Sequence, residues 1–143
     1  LWYGGVLRGD INSIKVGKFS NLQDGVIGHV ADDHSLTVGK YVTVGHGAVI
    51  HACQIADECL IGMNSTILDG ARIGKQSIVA AGSLVPAGMK VPAGSLVAGV
   101  PAKIKRKLSE DERKKLKGWA EKYLVVAKAH REKLGERRPG PPV

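Results

Sequence analysis

From Ile55 onward an aliphatic residue recurs at every sixth position, through Ile61, Ile67, Ile73, Val79, Val85, Val91 and Val97. Val38, Val44 and Ile50 keep the same period upstream, separated from the later run by a slip of one residue. Val16 and Leu22 already carry it near the start. A period of six fits neither an amphipathic helix, whose apolar positions recur at three and four, nor an ordinary alternating strand. Small residues accompany the aliphatic ones, among them Gly39, Gly45, Gly62, Ser65, Ala71, Gly74, Ser77, Ala80 and Ser83. The pattern predicts triangular coils, each of three short strands, with corners that admit small side chains and one aliphatic row per side pointing inward.

Composition agrees with a core of that kind. The 143 residues include 19 Gly but only one Phe, two Trp and three Tyr. A narrow prism filled by Val, Ile, Leu and Ala suits this inventory better than a conventional globular core. The net charge of +8 is concentrated between Lys103 and Arg138. A solvated basic helix accounts for it, because neither stacking aromatics nor a nucleic-acid module accompanies it; no nucleic-acid partner is expected. Cys53 and Cys59 are too few for a disulfide framework and read as small buried hydrophobes. No apolar run has the length of a membrane span, and no signal peptide precedes the first coil, so a cytoplasmic protein without a membrane partner is expected. The chain starts at Leu1, without Met and in mid-pattern, so an N-terminal piece is expected to precede it.

The repeat closes at VAGVPAKIKRKL, where Pro101 is expected to end the last coil and the basic stretch to lead outward. Ser109 and Glu112 form a capping-box pattern, with Glu110 and Asp111 suited to the positive end of a helix. Leu116, Trp119, Tyr123, Val126, Ala127, His130 and Leu134 then fall at helical spacing. We divide the chain into a solenoid over 1–107, an amphipathic helix over 108–136 and a disordered tail over 137–143.

Three histidines carry the chemistry. His46 and His51 lie in VTVGHGAVIHAC beside the register slip, and His29 ends the segment NLQDGVIGH. Each alone reads as a polar corner residue. Together they supply what a catalytic zinc or similar divalent ion needs, three neutral imidazoles and an open fourth position. A single prism offers only a shallow, wet site to outward histidines, so the site is expected between subunits, which makes assembly a condition of activity. Around it stand Arg8 and Asp10 in LRGD and Gln23 with Asp24 in NLQD. The segment ADDHSL breaks the repeat after His29 and is expected to project as a loop, and His34 within it titrates near neutrality.

LRGD, NLQD followed five residues later by His29, VGHGAVIHAC, CLIGMNSTILDG, IVAAGSLV and GVPAK together resemble the gamma-class carbonic anhydrase family over about Trp2 to Lys107. The resemblance implies a left-handed parallel β-helix of hexapeptide repeats followed by a C-terminal α-helix, assembled as a homotrimer. It implies that His29 and His51 of one subunit and His46 of its neighbour hold zinc, with iron or cobalt as alternatives. It further implies that Arg8 and Asp24 form an intersubunit ion pair, that Gln23 orients the attacking hydroxide, and that Asp10 is the catalytic acid of LRGD. The reaction implied is reversible hydration of carbon dioxide to bicarbonate, the metal lowering the pKa of water at its open position. Two positions depart from the family archetype: Ile11 replaces a Glu, and ADDHSL replaces a longer acidic loop with a shuttle Glu. Asp32, Asp33 and His34 are the candidate proton carriers in their place. Two rival readings are a hexapeptide acyltransferase, using one histidine as a base, and a non-catalytic assembly subunit that keeps the trimer.

Overall fold

The computed structural model describes residues 1–136; the tail expected over 137–143 lies outside the described residues. Short strands wind into the expected left-handed parallel β-helix, with hydrogen-bonded sheets of five, five and six strands forming its three sides. Side A stacks Val6–Arg8, Ile27–His29, Val49–His51, Thr66–Ile67 and Leu84–Val85. Side B stacks Ile14–Val16, Leu36–Val38, Gln54–Ile55, Arg72–Ile73 and Lys90–Val91. Side C stacks Asn21–Leu22, Thr43–Val44, Leu60–Ile61, Ile78–Val79, Ser95–Gly99 and Ala102–Lys107.

The sixfold rows become the core. Ile50, Ile61, Ile67, Val79, Val85 and Val97 are wholly buried, and Ile55 and Ile73 nearly so. At about 25 cal/mol per Å² of apolar surface removed from water, such rows are the main source of stability. The corners explain the small residues. Gly47, Asn64 and Gly82 each take the left-handed conformation at the equivalent corner position of successive coils. Gly62 meets the next coil so closely that a Cβ there would lie 2.3 Å from the Ala81 backbone nitrogen.

The coils are not of equal length. Ile27 pairs with Val49, Val49 with Thr66, and Thr66 with Leu84, steps of 22, 17 and then 18 residues. The long step contains ADDHSL. The short one contains the slip, because the strand ending at His51 is followed after two residues by the strand starting at Gln54. Both irregularities fall on the edge between sides A and B. ADDHSL does not project as expected: His34 folds back along this edge, and a Cβ on Gly70 would lie 3.2 Å from its Nε2.

The basic stretch also departs from expectation. After Gly99 it doubles back, and Ala102–Lys107 pairs antiparallel with Ser95–Gly99. Its exposed Lys and Arg side chains blunt what is now the edge of side C. The helix runs from Glu110 to Glu136 and returns along the prism toward the first coil. There Trp2 lies edge-on to Tyr123 at 6.3 Å, and the Tyr3 hydroxyl bonds His130 Nε2 at 2.7 Å. Leu116 and Ala120 are the helix residues fully buried on the prism, whereas Trp119, Val126 and Leu134 stay about half exposed. The buried stripe thus keeps Leu116, Tyr123 and His130 of the predicted face, adds Ala120 and leaves out Trp119, Val126 and Leu134. No helix among the described residues is long and apolar enough to cross a membrane.

The capping box forms in both directions. Ser109 N donates to Glu112 Oε2 at 2.8 Å and Glu112 N donates to Ser109 Oγ at 3.2 Å, while Arg106 grips the same carboxylate through two nitrogens. The Arg106 guanidinium first, and the Ser109 backbone N–H second, hold Glu112 down to about 2 from an ordinary 4.5. A depressed carboxylate contributes stability that is complete above its unfolded pKa and lost as pH falls through the folded one. Helix docking is therefore expected to weaken between about pH 4.5 and 2. Circular dichroism should show Glu112→Gln removing this acid-dependent step, and Ser109→Ala costing about 1 kcal/mol at neutral pH.

Candidate metal centre

Pairing places Arg8 beside His29, and His29 beside His51, in one column at the end of side A. The column carries a chain of hydrogen bonds. Arg8 Nη1 donates to Asp10, whose other oxygen meets His29 Nε2 at 2.9 Å. His29 Nδ1 lies 3.0 Å from His51 Nε2, and His51 Nδ1 meets Asp69 Oδ1 at 2.5 Å. The bond from His29, more than the adjacent Arg8, holds the Asp10 carboxyl below its ordinary range.

His46 stands elsewhere. It sits in the corner before the strand Val49–His51, on the edge between sides C and A, and its Nδ1 meets Asp24 Oδ2 at 2.9 Å. Its ring is half exposed, against 19% for the His29 side chain and 30% for that of His51. Five residues of extended chain span about 16 Å, so the strand that separates His46 from His51 holds them on opposite edges of one side. Among the described residues no group of three or more His, Cys, Asp or Glu comes within reach of one ion. The single chain joins His29 with His51 and leaves His46 apart.

The donor set nevertheless fits a metal. Zinc–nitrogen bonds of 2.0–2.1 Å in a tetrahedral shell put neighbouring ligand atoms about 3.3 Å apart. His29 Nδ1 and His51 Nε2 stand close to that separation, 3.0 Å apart. Every one of the three histidines also has its other nitrogen on a carboxylate: His29 on Asp10, His46 on Asp24 and His51 on Asp69. Such pairs fix the tautomer and the ring plane and raise ligand basicity. Asp69 was not singled out from the sequence, because its place one coil beyond His51 is apparent only from the register between coils. Nothing in a hexapeptide motif marks an aspartate as a histidine's partner until the coils are stacked.

The remaining candidates divide between the two edges. Gln23 is buried on the His46 edge and lines, with His46, Met63, Trp119 and Tyr123, a cavity of about 340 Å³ between side C and the helix. On the opposite edge His34 Nδ1 lies 2.8 Å from Asp33 Oδ1, and Asp32 receives the Asn12 amide at its backbone oxygen. Within the chain Arg8 meets Asp10 and Asp24 meets His46. Burial pushes both the Cys53 and the Cys59 thiols up to about 12, leaving them neutral packing groups.

A family model, the bacterial transferase hexapeptide (six repeats), matches residues 52–87. Over 127 residues the chain is 44% identical to a probable carbonic anhydrase of Methanocaldococcus jannaschii, covering 89% of this chain and 80% of that protein. It is 43% identical over 136 residues to gamma carbonic anhydrase 2, mitochondrial, of Arabidopsis thaliana, covering 91% of this chain and 49% of that one. The chain belongs to the gamma-class carbonic anhydrase family. It spans about half the length of the plant relatives it matches. Carbonic anhydrases of this class are metal-dependent in general, and hexapeptide-repeat β-helices of the family commonly form trimers. The fold also superposes on a putative acetyltransferase of Bacillus cereus with a TM-score of 0.89 at 37% identity, covering 92% of this chain and 76% of that one.

The Asp69 contact yields a test. Asp69→Asn keeps the shape but removes the carboxylate behind His51. Zinc affinity, measured by competition with a chromophoric chelator, is expected to fall roughly 10- to 100-fold. An unchanged affinity would show that the Asp69 carboxylate does not support a metal-bound His51.

Proposed function

We propose that the protein is a metal-dependent carbonic anhydrase whose sites form between three identical chains, each site taking His29 and His51 from one chain and His46 from the next. The observation that carries this reading is the set of three imidazoles, each backed by its own carboxylate, divided between two edges of one prism side. A threefold assembly that brings unlike edges together completes the set three times over. Zinc, or iron or cobalt in its place, would act there as a Lewis acid and lower the pKa of water.

The chain's own groups supply the rest. Asp10, Asp24 and Asp69 hold the rings in the tautomers that turn one nitrogen of each outward. Gln23, buried on the His46 edge, offers an amide to hydrogen-bond and orient the attacking oxygen. The Arg8 guanidinium is more than half exposed, and Asp24 lies on the opposite edge, so an Arg8–Asp24 ion pair across the interface suits this assembly. Asp10 stands between Arg8 and His29 as an acceptor close to the reacting centre. His34, paired with Asp33, would carry the released proton outward together with Asp32.

The likeness to a putative acetyltransferase supports a second reading, in which one histidine deprotonates an acceptor. That chemistry needs one base and leaves two carboxylate-backed histidines without a role. The third reading, a non-catalytic assembly subunit, keeps the trimer, with or without the metal, and shows no hydration.

Complementation between chains separates these outcomes. His46→Ala and His51→Ala proteins should each lose the zinc bound by the parent. Unfolded together and reassembled at random, they regain intact sites in about a quarter of positions, with matching metal content and chelator-sensitive hydration in stopped flow. No recovery in the mixture would overturn the shared site. Metal recovered without hydration would leave the assembly-subunit reading.

A further inference from the structure

Side B carries an exposed polar ladder with no role in the site above. Its outward residues are Lys15, Thr37, Gln54, Arg72 and Lys90, each paired with the next across neighbouring strands. At the edge shared with side A, the ladder meets the folded-back ADDHSL segment. Between them lies a pocket of about 250 Å³ bounded by His34, Ser35, Gln54 and Arg72 over a floor of Ala52 and Gly70. The floor is open because Gly70 has no side chain there; a Cβ would come within 3.2 Å of His34 Nε2.

The donors and acceptors around this space are specific. Asp33 occupies His34 Nδ1 at 2.8 Å, which turns Nε2 toward the pocket over Gly70. With Asp33 accepting the Nδ1 proton, the neutral ring presents an acceptor lone pair at Nε2, and the protonated ring presents a donor. Arg72 brings an always-charged planar fork, and among the described residues it has no salt-bridge partner. Gln54 adds an amide and Ser35 a hydroxyl. Asp33 also lines the pocket, and its carboxylate is engaged by His34.

We propose that this pocket binds a small oxyanion that itself carries a hydroxyl, bicarbonate or hydrogen phosphate. The negative oxygens pair with Arg72 and Gln54, and the hydroxyl meets His34 Nε2. An ion without a hydroxyl, such as sulfate, satisfies Arg72 but offers nothing to the neutral imidazole. A phosphate dianion in this place can also accept the Nε2 proton of the charged His34, becoming dihydrogen phosphate and leaving the ring neutral. This last step rests on the hydration reading; the binding does not.

The test is a titration of the full, assembled protein with inorganic phosphate, bicarbonate and sulfate at constant ionic strength and at a pH that keeps imidazole neutral. The His34 ring resonance is followed by NMR and assigned by its loss in His34→Gln. Phosphate, bicarbonate or both should shift it saturably, the one that does so identifying the occupant, while sulfate saturates at least several-fold more weakly. Arg72→Gln, at an exposed position, should keep the parent's melting temperature and weaken binding roughly tenfold, as the loss of a charge-assisted hydrogen bond requires. A shift that never saturates, sulfate binding as tightly as the others, or Arg72→Gln binding as the parent does would each overturn the proposal. Hydration rates in phosphate buffer supply the second arm: saturation with buffer in the parent and its loss in Arg72→Gln support the proton step. Anion binding without hydration would sink the enzymatic reading and spare the pocket, and hydration without anion binding would do the reverse.

Discussion

The interior of this molecule is a narrow prism that admits only aliphatic and small side chains, and the rest follows from that. Ile50, Ile67 and Val85 stack along side A, and the polar groups buried beside that row are small hydrogen-bonded serines, Ser65 and Ser83. An ionisable side chain placed inside would lose its water and find no partner. Functional groups are therefore confined to the outer faces and edges, and the distance between edges is set by the length of a strand. One chain can gather residues along an edge but cannot make two edges converge.

The edge between sides A and B shows what stacking does with that restriction. Arg8, His29 and His51 come from three different coils and fall into one column, with Asp10 below and Asp69 above. The deviations from the repeat, the long corner with ADDHSL and the short one after His51, lie on this same edge. A regular corner would carry His51 into the next strand's spacing. Shortening it ends the strand at His51, with the ring turned toward His29 and Asp69. The extra residues of ADDHSL bring His34 over Gly70 and make a second polar niche beside the first.

Strand periodicity was legible because each aliphatic position reports the same burial, and errors do not accumulate over so short a repeat. The helix was legible from Ser109 and Glu112, whose reciprocal bonds are local. The helix's buried stripe was not: Leu116 and Ala120 pack while Trp119 stays half exposed, because that choice depends on which line of the helix meets the sheet. The return of Ala102–Lys107 as an antiparallel strand was likewise hidden, since a run of Lys and Arg looks the same whether it leads outward or covers an edge.

The amino-acid order by itself determined the coil, through a sixfold aliphatic period that no helix or simple strand can satisfy, and it marked His29, His46 and His51 as the candidates for the chemistry. Only the stacking of coils decided that His29 and His51 stand 3.0 Å apart, that Asp69 backs one of them, and that His46 lies across a full strand from both. The physical reason is that periodicity is a property of neighbours along the chain. The company a side chain keeps on an edge depends on the register between coils, and that register is summed over every corner between them.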